Sequence, residues 1–525
     1  MDIVCKRHTE LPHTSKLFGD LMYHFDRVAG MYAYDPHDSA SYRKSAERIQ
    51  FPDDRRQALI ATLRKQNGDS ESLAKLAKPG TVAVLTGQQV GLFSGPAYSV
   101  YKALTAVRLA RQLTEQGVDA VPVFWLATED HDFAEVSTCW TFDAGNKPLL
   151  LRLPEEPVGD RPVGGIVLRD IPIAEVEQSL AGFPFGAEVT ELVREAYQPG
   201  RTMGEAFVHL MRALLKPYGL LFFDPMQPEA RQLAAPLLKE AVGAAPELTE
   251  ALLARNKELN DAGYHAQVHI ERHTSLFFVL DNGHRLNLRR KDQDYLHKDR
   301  RWTAAELMDR AEALSPNAAL RPVVQDYMFP TVAYIGGPAE LAYLAQSEVI
   351  YKRLLGRMPV AASRNGFTLI DARTRKLMER YGLTLESYFN GEDCLNELIA
   401  AKLTPPEVTR ALDSAEETVK SALAALRGSI KGFDKSLGEA LDRSSRKVQY
   451  QLTKMHRKVA RESLRRSQRA LDESAYLFNG IYPHKHLQER FYTILPFLAR
   501  HGLELVDRVY ENVHPDCPDH HIFHV

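Results

Sequence analysis

The sequence predicts an α/β protein built on a parallel sheet, with a separate helical hairpin. An apolar run, Thr81-Val82-Ala83-Val84-Leu85, passes through a glycine-rich turn and a helical segment into a second apolar run, Ala120 to Ala127. The succession of strand, glycine turn and helix returns at Thr331 to Leu355. Residues 400–473 abandon this alternation for heptad spacing. Short apolar runs that alternate with helices form βαβ units, and a parallel sheet is their natural solution. The glycine turn after the first run and the acidic loop after the second then lie at carboxyl ends of strands, where open sheets of this kind bind ligands.

Composition bounds the rest. A chain of 525 residues exceeds one core, so two or more structural units are expected. Hydrophobic residues make up 44% and charged residues 26%, as in ordinary globular chains. The formal net charge of −2 gives no sign of a nucleic-acid or membrane-surface partner. Cys5, Cys139, Cys394 and Cys517 are scattered without CxxC spacing. Neither a zinc site nor a disulfide framework is expected, no metal is assigned, and a reducing cytoplasm fits best. Met1 to Glu10 lacks an apolar signal-peptide core, and no run of about 18 apolar residues predicts a membrane span.

Residues 1–80 read as an N-terminal helical segment packed on the core, punctuated by Pro12, Pro36 and Pro52. Residues 81–142 form the first half of the core. In 143–200, Leu149 to Leu153 and Gly165 to Leu168 suggest short strands around a Pro/Gly-rich loop, followed by helices at Ala174 to Leu180 and Glu188 to Tyr197. This is a first insertion. Residues 201–399 resume the core, with an amphipathic helix Met203 to Leu215, a strand Gly219 to Phe223 and a long helix Pro228 to Ala262. A small β insertion interrupts them at 265–300, where Asn282-Gly283 signals a hairpin. In 400–473, Val408, Leu412, Ala415, Val419, Ala422 and Leu426 make one apolar seam. Leu437, Leu441, Val448, Leu452, Met455 and Val459 make another, which predicts an antiparallel coiled-coil hairpin. Residues 474–525 return to the core.

Candidate chemistry gathers at the turns. Gly87, Gly91 and Gly95 let backbone N–H groups approach an anion, and the helix start carrying Lys102 favours one. Gln88 and Gln89 add neutral donors and acceptors beside Thr86. The spacing matches neither GxxxxGK[ST] nor GxGxxG. Glu129-Asp130-His131-Asp132 closes the second strand; it could hold an ammonium group or a metal, support His131 as acid/base, or cap the next helix. Tyr334-Ile335-Gly336-Gly337-Pro338-Ala339-Glu340 offers a further turn, preceded by Gln325. Ser363-Arg364-Asn365-Gly366 is a weaker polar turn. The terminal His520, His521 and His524, with Asp516 and Asp519, suggest a solvated polar tail or a metal site.

Four ordered stretches carry a resemblance. They are Thr86-Gly87-Gln88-Gln89 through Gly91-Leu92-Phe93-Ser94-Gly95-Pro96 to Tyr98, Tyr101 and Lys102; Pro122 to Phe133; Leu320 to Tyr327 running into Pro330 to Glu340; and Leu487-Gln488-Glu489-Arg490 with the closing Asp519-His520-His521. Together they resemble the bacillithiol biosynthesis cysteine-adding enzyme (cysteine ligase) family over the whole chain. Val90 and Ser94 depart from the proline and threonine usual there. The resemblance implies a Rossmann-like core with two connecting insertions, similar to class I aminoacyl-tRNA synthetases, and a coiled coil that supports a homodimer. It implies that L-cysteine is joined through its carboxyl group to the amine of glucosaminyl malate, with ATP or ADP as the expected nucleotide. In that setting Glu129, Asp130 and Asp132 suit ammonium groups and His131 a proton acceptor. Thr86 to Lys102, with Tyr98, Gln325, Tyr334, Gly336, Gly337 and Glu340, would bind substrate. Neither a HIGH nor a KMSKS tetrapeptide is present, so the activating step stays open. A nucleotide site at the hairpin root, using Tyr388, Tyr476 and Tyr492, is an alternative place for ATP. The competing reading is a non-catalytic nucleotide-binding scaffold whose coiled coil recruits a partner.

Overall fold

The computed structural model describes residues 3–154, 158–292, 294–431, 433 and 435–525. At its centre five strands lie in the order Val360–Ser363, Thr331–Gly336, Val82–Gln88, Ala120–Leu126 and Leu221–Phe223. All neighbours are parallel. Ala120–Leu126 and Thr331–Gly336 are buried at every position, which a parallel sheet covered on both faces requires. The fold is Rossmann-like. The chain enters mid-sheet at Val82–Gln88, winds outward to Leu221–Phe223, then crosses back to Thr331–Gly336 on the other side. Strand order therefore reverses between Val82–Gln88 and Thr331–Gly336, and the crevice opens there.

The first strand runs further than its apolar residues suggest. Thr86, Gly87 and Gln88 continue the ladder opposite Phe124, Trp125 and Leu126. Backbone pairing, indifferent to side-chain polarity, carries the strand into what the sequence marks as turn. A short turn at Leu92–Ser94 follows, and the helix spans Tyr98–Glu115.

Thr138–Phe142 pairs antiparallel with Pro148–Arg152, ahead of helices Ile173–Leu180 and Gly186–Ala196. Gly165 to Leu168 is not the strand its composition suggests: Val163–Gly165 is a short 3-10 turn, and Val167 makes only an isolated bridge to Thr202. Residues 155–157 of that Pro/Gly-rich loop lie outside the described residues. A five-stranded antiparallel sheet holds Thr274–Asp281 and His284–Lys291, with Asp281 opposite His284 across the Asn282-Gly283 turn. Asn282 at φ 49° and Gly283 at φ 78° are both left-handed, as a type I′ hairpin demands.

Pro406–Lys431 and Lys435–Arg465 form the helical hairpin. Thr404 to Ser463 at 3.2 Å, Glu416 to His456 at 3.4 Å and Arg427 to Asp442 at 2.8 Å pair in opposite order along the two segments, which makes them antiparallel. Within the link expected at 428–436, residues 432 and 434 lie outside the described residues.

The terminal segment corrects an expectation. His520–His524 is not a solvated tail but the middle strand of a three-stranded sheet, antiparallel to Ile3–Lys6 and parallel to Gly366–Ile370. His520 and His521 are fully buried. Sheet partners at both edges bury a segment whose polarity alone suggests solvent.

Candidate functional site

The loops that follow Val82–Gln88 and Thr331–Gly336 line a cavity of about 370 Å³ at the reversal point. Gly87, Gln88, Gln89, Tyr98 and Lys102 come from the first unit, Gln325, Tyr334, Gly337 and Glu340 from the second, and Asp130 from the acidic tip. A second cavity of about 290 Å³ shares Gln88, Gln89, Tyr98, Glu135 and Arg490 and adds Gly91 and Gly95, so the two are lobes of one cleft.

A buried ion pair joins the two units. Lys102, 2% exposed, donates to the Gly87 carbonyl at 2.9 Å and to Gln88 Oε1 at 2.8 Å, and pairs with Glu340. Glu340 also accepts from the Tyr334 hydroxyl and the Gly337 N–H, each at 2.8 Å. Burial lowers the Lys102 pKa, against the pull of Glu340. Burial alone would raise Glu340; Lys102 and the donors from Gly337 and Tyr334 outweigh it and hold the carboxyl below its usual value. Each charge is thus the other's main electrostatic support within the cleft. Thr86 donates to the Ile335 carbonyl at 2.9 Å, stitching the two strands beneath the cleft. Gly336 lies in the second strand, where an added Cβ would stand 3.1 Å from the Leu341 side chain. The Gly91 and Gly95 N–H groups donate to Gln89 and Leu92 carbonyls, so these glycines shape the turn rather than leave those donors open.

The acidic tip divides. Asp130 lines the cavity and accepts from Gln89 Nε2 and from the His131 N–H, each at 2.7 Å. Burial would raise its pKa, but these donors and the Arg285 guanidinium keep it below the usual carboxylate value. Glu129, His131 and Asp132 are not among the lining residues. Glu129 is buried in an ion pair with Arg231 at 3.0 Å. Asp132 caps the next helix by accepting from the Glu135 N–H at 3.1 Å. His131 Nδ1 lies 3.1 Å from Arg285 Nη1, on the antiparallel sheet. Arginine can only donate, so Nδ1 is the acceptor and the ring proton sits on Nε2.

Tyr388, Tyr476 and Tyr492 present no surface to a nucleotide. They are 0%, 3% and 0% exposed, and the hydroxyls of Tyr476 and Tyr492 donate to Asp371 and to the Asn479 carbonyl. Their density near the hairpin root is core packing.

Among the polar residues that line the cavity, Glu135, Arg321, Tyr343 and Arg490 were given no role by the sequence. Arg321 donates to the Tyr343 hydroxyl at 3.0 Å. Neither Arg321 nor Arg490 forms an ion pair among the described residues. Both lie in runs quoted above, and an arginine next to apolar positions was the available signal. The Gln488-Glu489-Arg490 run explains itself in three dimensions. Gln488 is hydrogen-bonded to both backbone groups of Leu369, Glu489 holds Arg364 through bonds of 2.9 and 2.6 Å, and Arg490 reaches the cavity.

Comparison with known proteins agrees with this geometry. The family model described as bacillithiol biosynthesis BshC, N-terminal Rossmann-like domain, matches residues 4–365, and that of the BshC C-terminal coiled-coil domain matches 367–525. A protein of Solibacter usitatus named "Putative cysteine ligase BshC" is 53% identical over 99% of both chains. Proteins of the same name from Koribacter versatilis and Salinibacter ruber are 38% identical over 99% of both chains, and 30% identical over 96% of this chain and 95% of its relative. A reversed parallel sheet, a cleft built from the recurring motifs and end-to-end similarity lead to one conclusion: the chain belongs to the bacillithiol biosynthesis BshC family.

Proposed function

We propose that this protein is a cysteine ligase that forms an amide between the carboxyl group of L-cysteine and the amine of glucosaminyl malate. The observation that carries the reading is the charge inventory of the cleft. Lys102 and Glu340 neutralise each other, while Arg321 and Arg490 keep guanidinium groups without an ionic partner among the described residues. Asp130 supplies a carboxylate held in its ionised form. Unpaired guanidinium groups suit the malate carboxylates, and Asp130 suits the ammonium of cysteine or of the sugar. Cavities of this size hold small polar substrates.

A carboxylate is a poor acyl donor, so its oxygen must first be made a leaving group. Transfer of a phosphoryl or adenylyl group from ATP, as co-substrate, gives a mixed anhydride. The sugar amine attacks its carbonyl carbon, the C–N bond forms, the C–O bond to the phosphate breaks, and the amine proton leaves to a base. Asp130 orients the nitrogen, and His131, tied to Arg285, positions the acidic tip. The protein works in the cytoplasm as a homodimer joined through the coiled coil. Its hairpin leaves Leu426, Leu437, Val448 and Met455 of the two seams 39–50% exposed, apolar surface that a second copy would cover.

Purified protein incubated with L-cysteine, glucosaminyl malate and ATP is expected to yield the thiol product by mass spectrometry. Asp130→Ala is expected to lower kcat/KM by roughly 10–100-fold, the range for a lost charge-assisted contact of about 1.5–3 kcal/mol. No product, or undiminished activity in the variant, counts against the reading. Light scattering at micromolar concentration should give twice the chain mass; a monomer would refute the dimer.

A further inference from the structure

The pairing of the first and last strands brings Cys5 beside Cys517 and His521, more than 500 positions away in the chain. Cys5 stands directly opposite His521 in the antiparallel pair. Cys517, in the turn before the last strand, places its Sγ 3.8 Å from Cys5 Sγ. One sulfur from each cysteine and one ring nitrogen of His521 all lie within 4.8 Å of one another.

His521 supplies the independent observation. Its ring is fully buried, yet neither Nδ1 nor Nε2 has a hydrogen-bond partner. An imidazole out of water with both nitrogens unmatched carries a desolvation cost that a ligand would remove. The ring is also held in place, stacked on Phe367 at 5.1 Å with 24° between planes.

We propose that Cys5, Cys517 and His521 form a zinc site that clamps the N-terminal strand to the C-terminal strand. Two thiolates at about 2.3 Å from a tetrahedral Zn²⁺ stand about 3.8 Å apart, and a thiolate and an imidazole nitrogen about 3.6 Å apart. The sulfur pair already has the first spacing. Two thiolates and one neutral imidazole leave no net charge on the Zn²⁺ site, which suits a half-buried position. Binding releases the two thiol protons. The fourth position falls to solvent on the side of Cys5, the exposed member. The carboxylate of Asp519 is engaged elsewhere, accepting from the Tyr23 hydroxyl at 2.8 Å.

The test uses the full chain, purified with a thiol reductant, stripped with a chelator, reloaded with ZnCl₂ and desalted. Elemental mass spectrometry is expected to find one zinc per chain. Cys5→Ser and Cys517→Ser should each weaken retention at least tenfold. Co²⁺ in place of zinc should give a thiolate-to-metal charge-transfer band that Cys517→Ser weakens and that Cys5→Ser combined with Cys517→Ser abolishes. Because Cys5 is exposed, Cys5→Ser is expected to fold even if His521→Ala does not, and circular dichroism checks this. Substoichiometric zinc, equal retention in the serine variants, or a Cys5–Cys517 disulfide in the reduced preparation that zinc does not displace would each overturn the proposal.

Discussion

Lys102 shows how a single position acquires meaning from its neighbours. In sequence it is one cation on the helix after a glycine turn. In the structure it is buried with Glu340 and two oxygen acceptors from Gly87 and Gln88. Removing one member of such a pair strands the other charge, which typically costs about 3–5 kcal/mol. Glu340→Gln is therefore expected to lower the urea midpoint strongly. Lys102→Met combined with Glu340→Gln should recover part of the loss. The sign with pH follows from the depressed Glu340 pKa: its contribution is present above the unfolded carboxyl value of about 4.3 and is lost as pH falls through the lower folded value. Urea midpoints that are equal in the wild type and Glu340→Gln at pH 7 would contradict this.

Among the elements, the strand Val82–Gln88 controls the cleft. Gly87 lies within it because a Cβ there would stand 2.9 Å from the Trp125 carbonyl oxygen, on the neighbouring strand. A backbone atom cannot give way as a side chain can. Gly87→Ala is expected to cost roughly 1–3 kcal/mol and to displace Gln88 and Lys102 with the strand. Denaturation should show the stability loss, and the KM for glucosaminyl malate should rise with it. An unchanged midpoint would mean that the two strands separate freely. The hairpin at Asn282-Gly283 was legible because its turn needs two left-handed residues, a local demand. The end of Val82–Gln88 was not legible, since pairing with Phe124, Trp125 and Leu126 is a demand made by another strand.

At the scale of the molecule, the chain's two ends share one sheet, and buried histidines make that junction sensitive to acid. His8 packs on Phe18 at 5.0 Å and faces His520 at 6.1 Å. Burial pushes its pKa down to about 3. Above about pH 6.5 neither state binds the proton, and His8 has no effect. Below it the unfolded chain takes up a proton that the native state refuses, so stability falls with pH, by up to about 1.4 kcal/mol per unit until the folded value is reached. Burial lowers His520 and, to about 4, His501, in the same direction. Urea midpoints should decline from pH 7 to pH 5, and His8→Gln should flatten the slope. A flat wild-type profile would contradict the burial of this junction.

The sequence by itself determined the parallel sheet, the two glycine turns, the heptad hairpin and the family. All of these are written in local order, as periodicity, turn chemistry and contiguous motifs. It also placed Gln88, Gln89, Tyr98, Lys102, Asp130, Gln325, Tyr334, Gly337 and Glu340 at one cleft, since loops at the carboxyl ends of parallel strands must converge. Only the tertiary structure decided what each group faces. It paired Glu129 with Arg231, gave His131 to Arg285 and buried the three tyrosines, and it brought Arg321 and Arg490 to the cavity. It likewise set Cys5 beside Cys517 and His521. Local patterns encode elements, but ion pairs and ligand sets are formed by segments far apart in the chain, and their partners are chosen by packing.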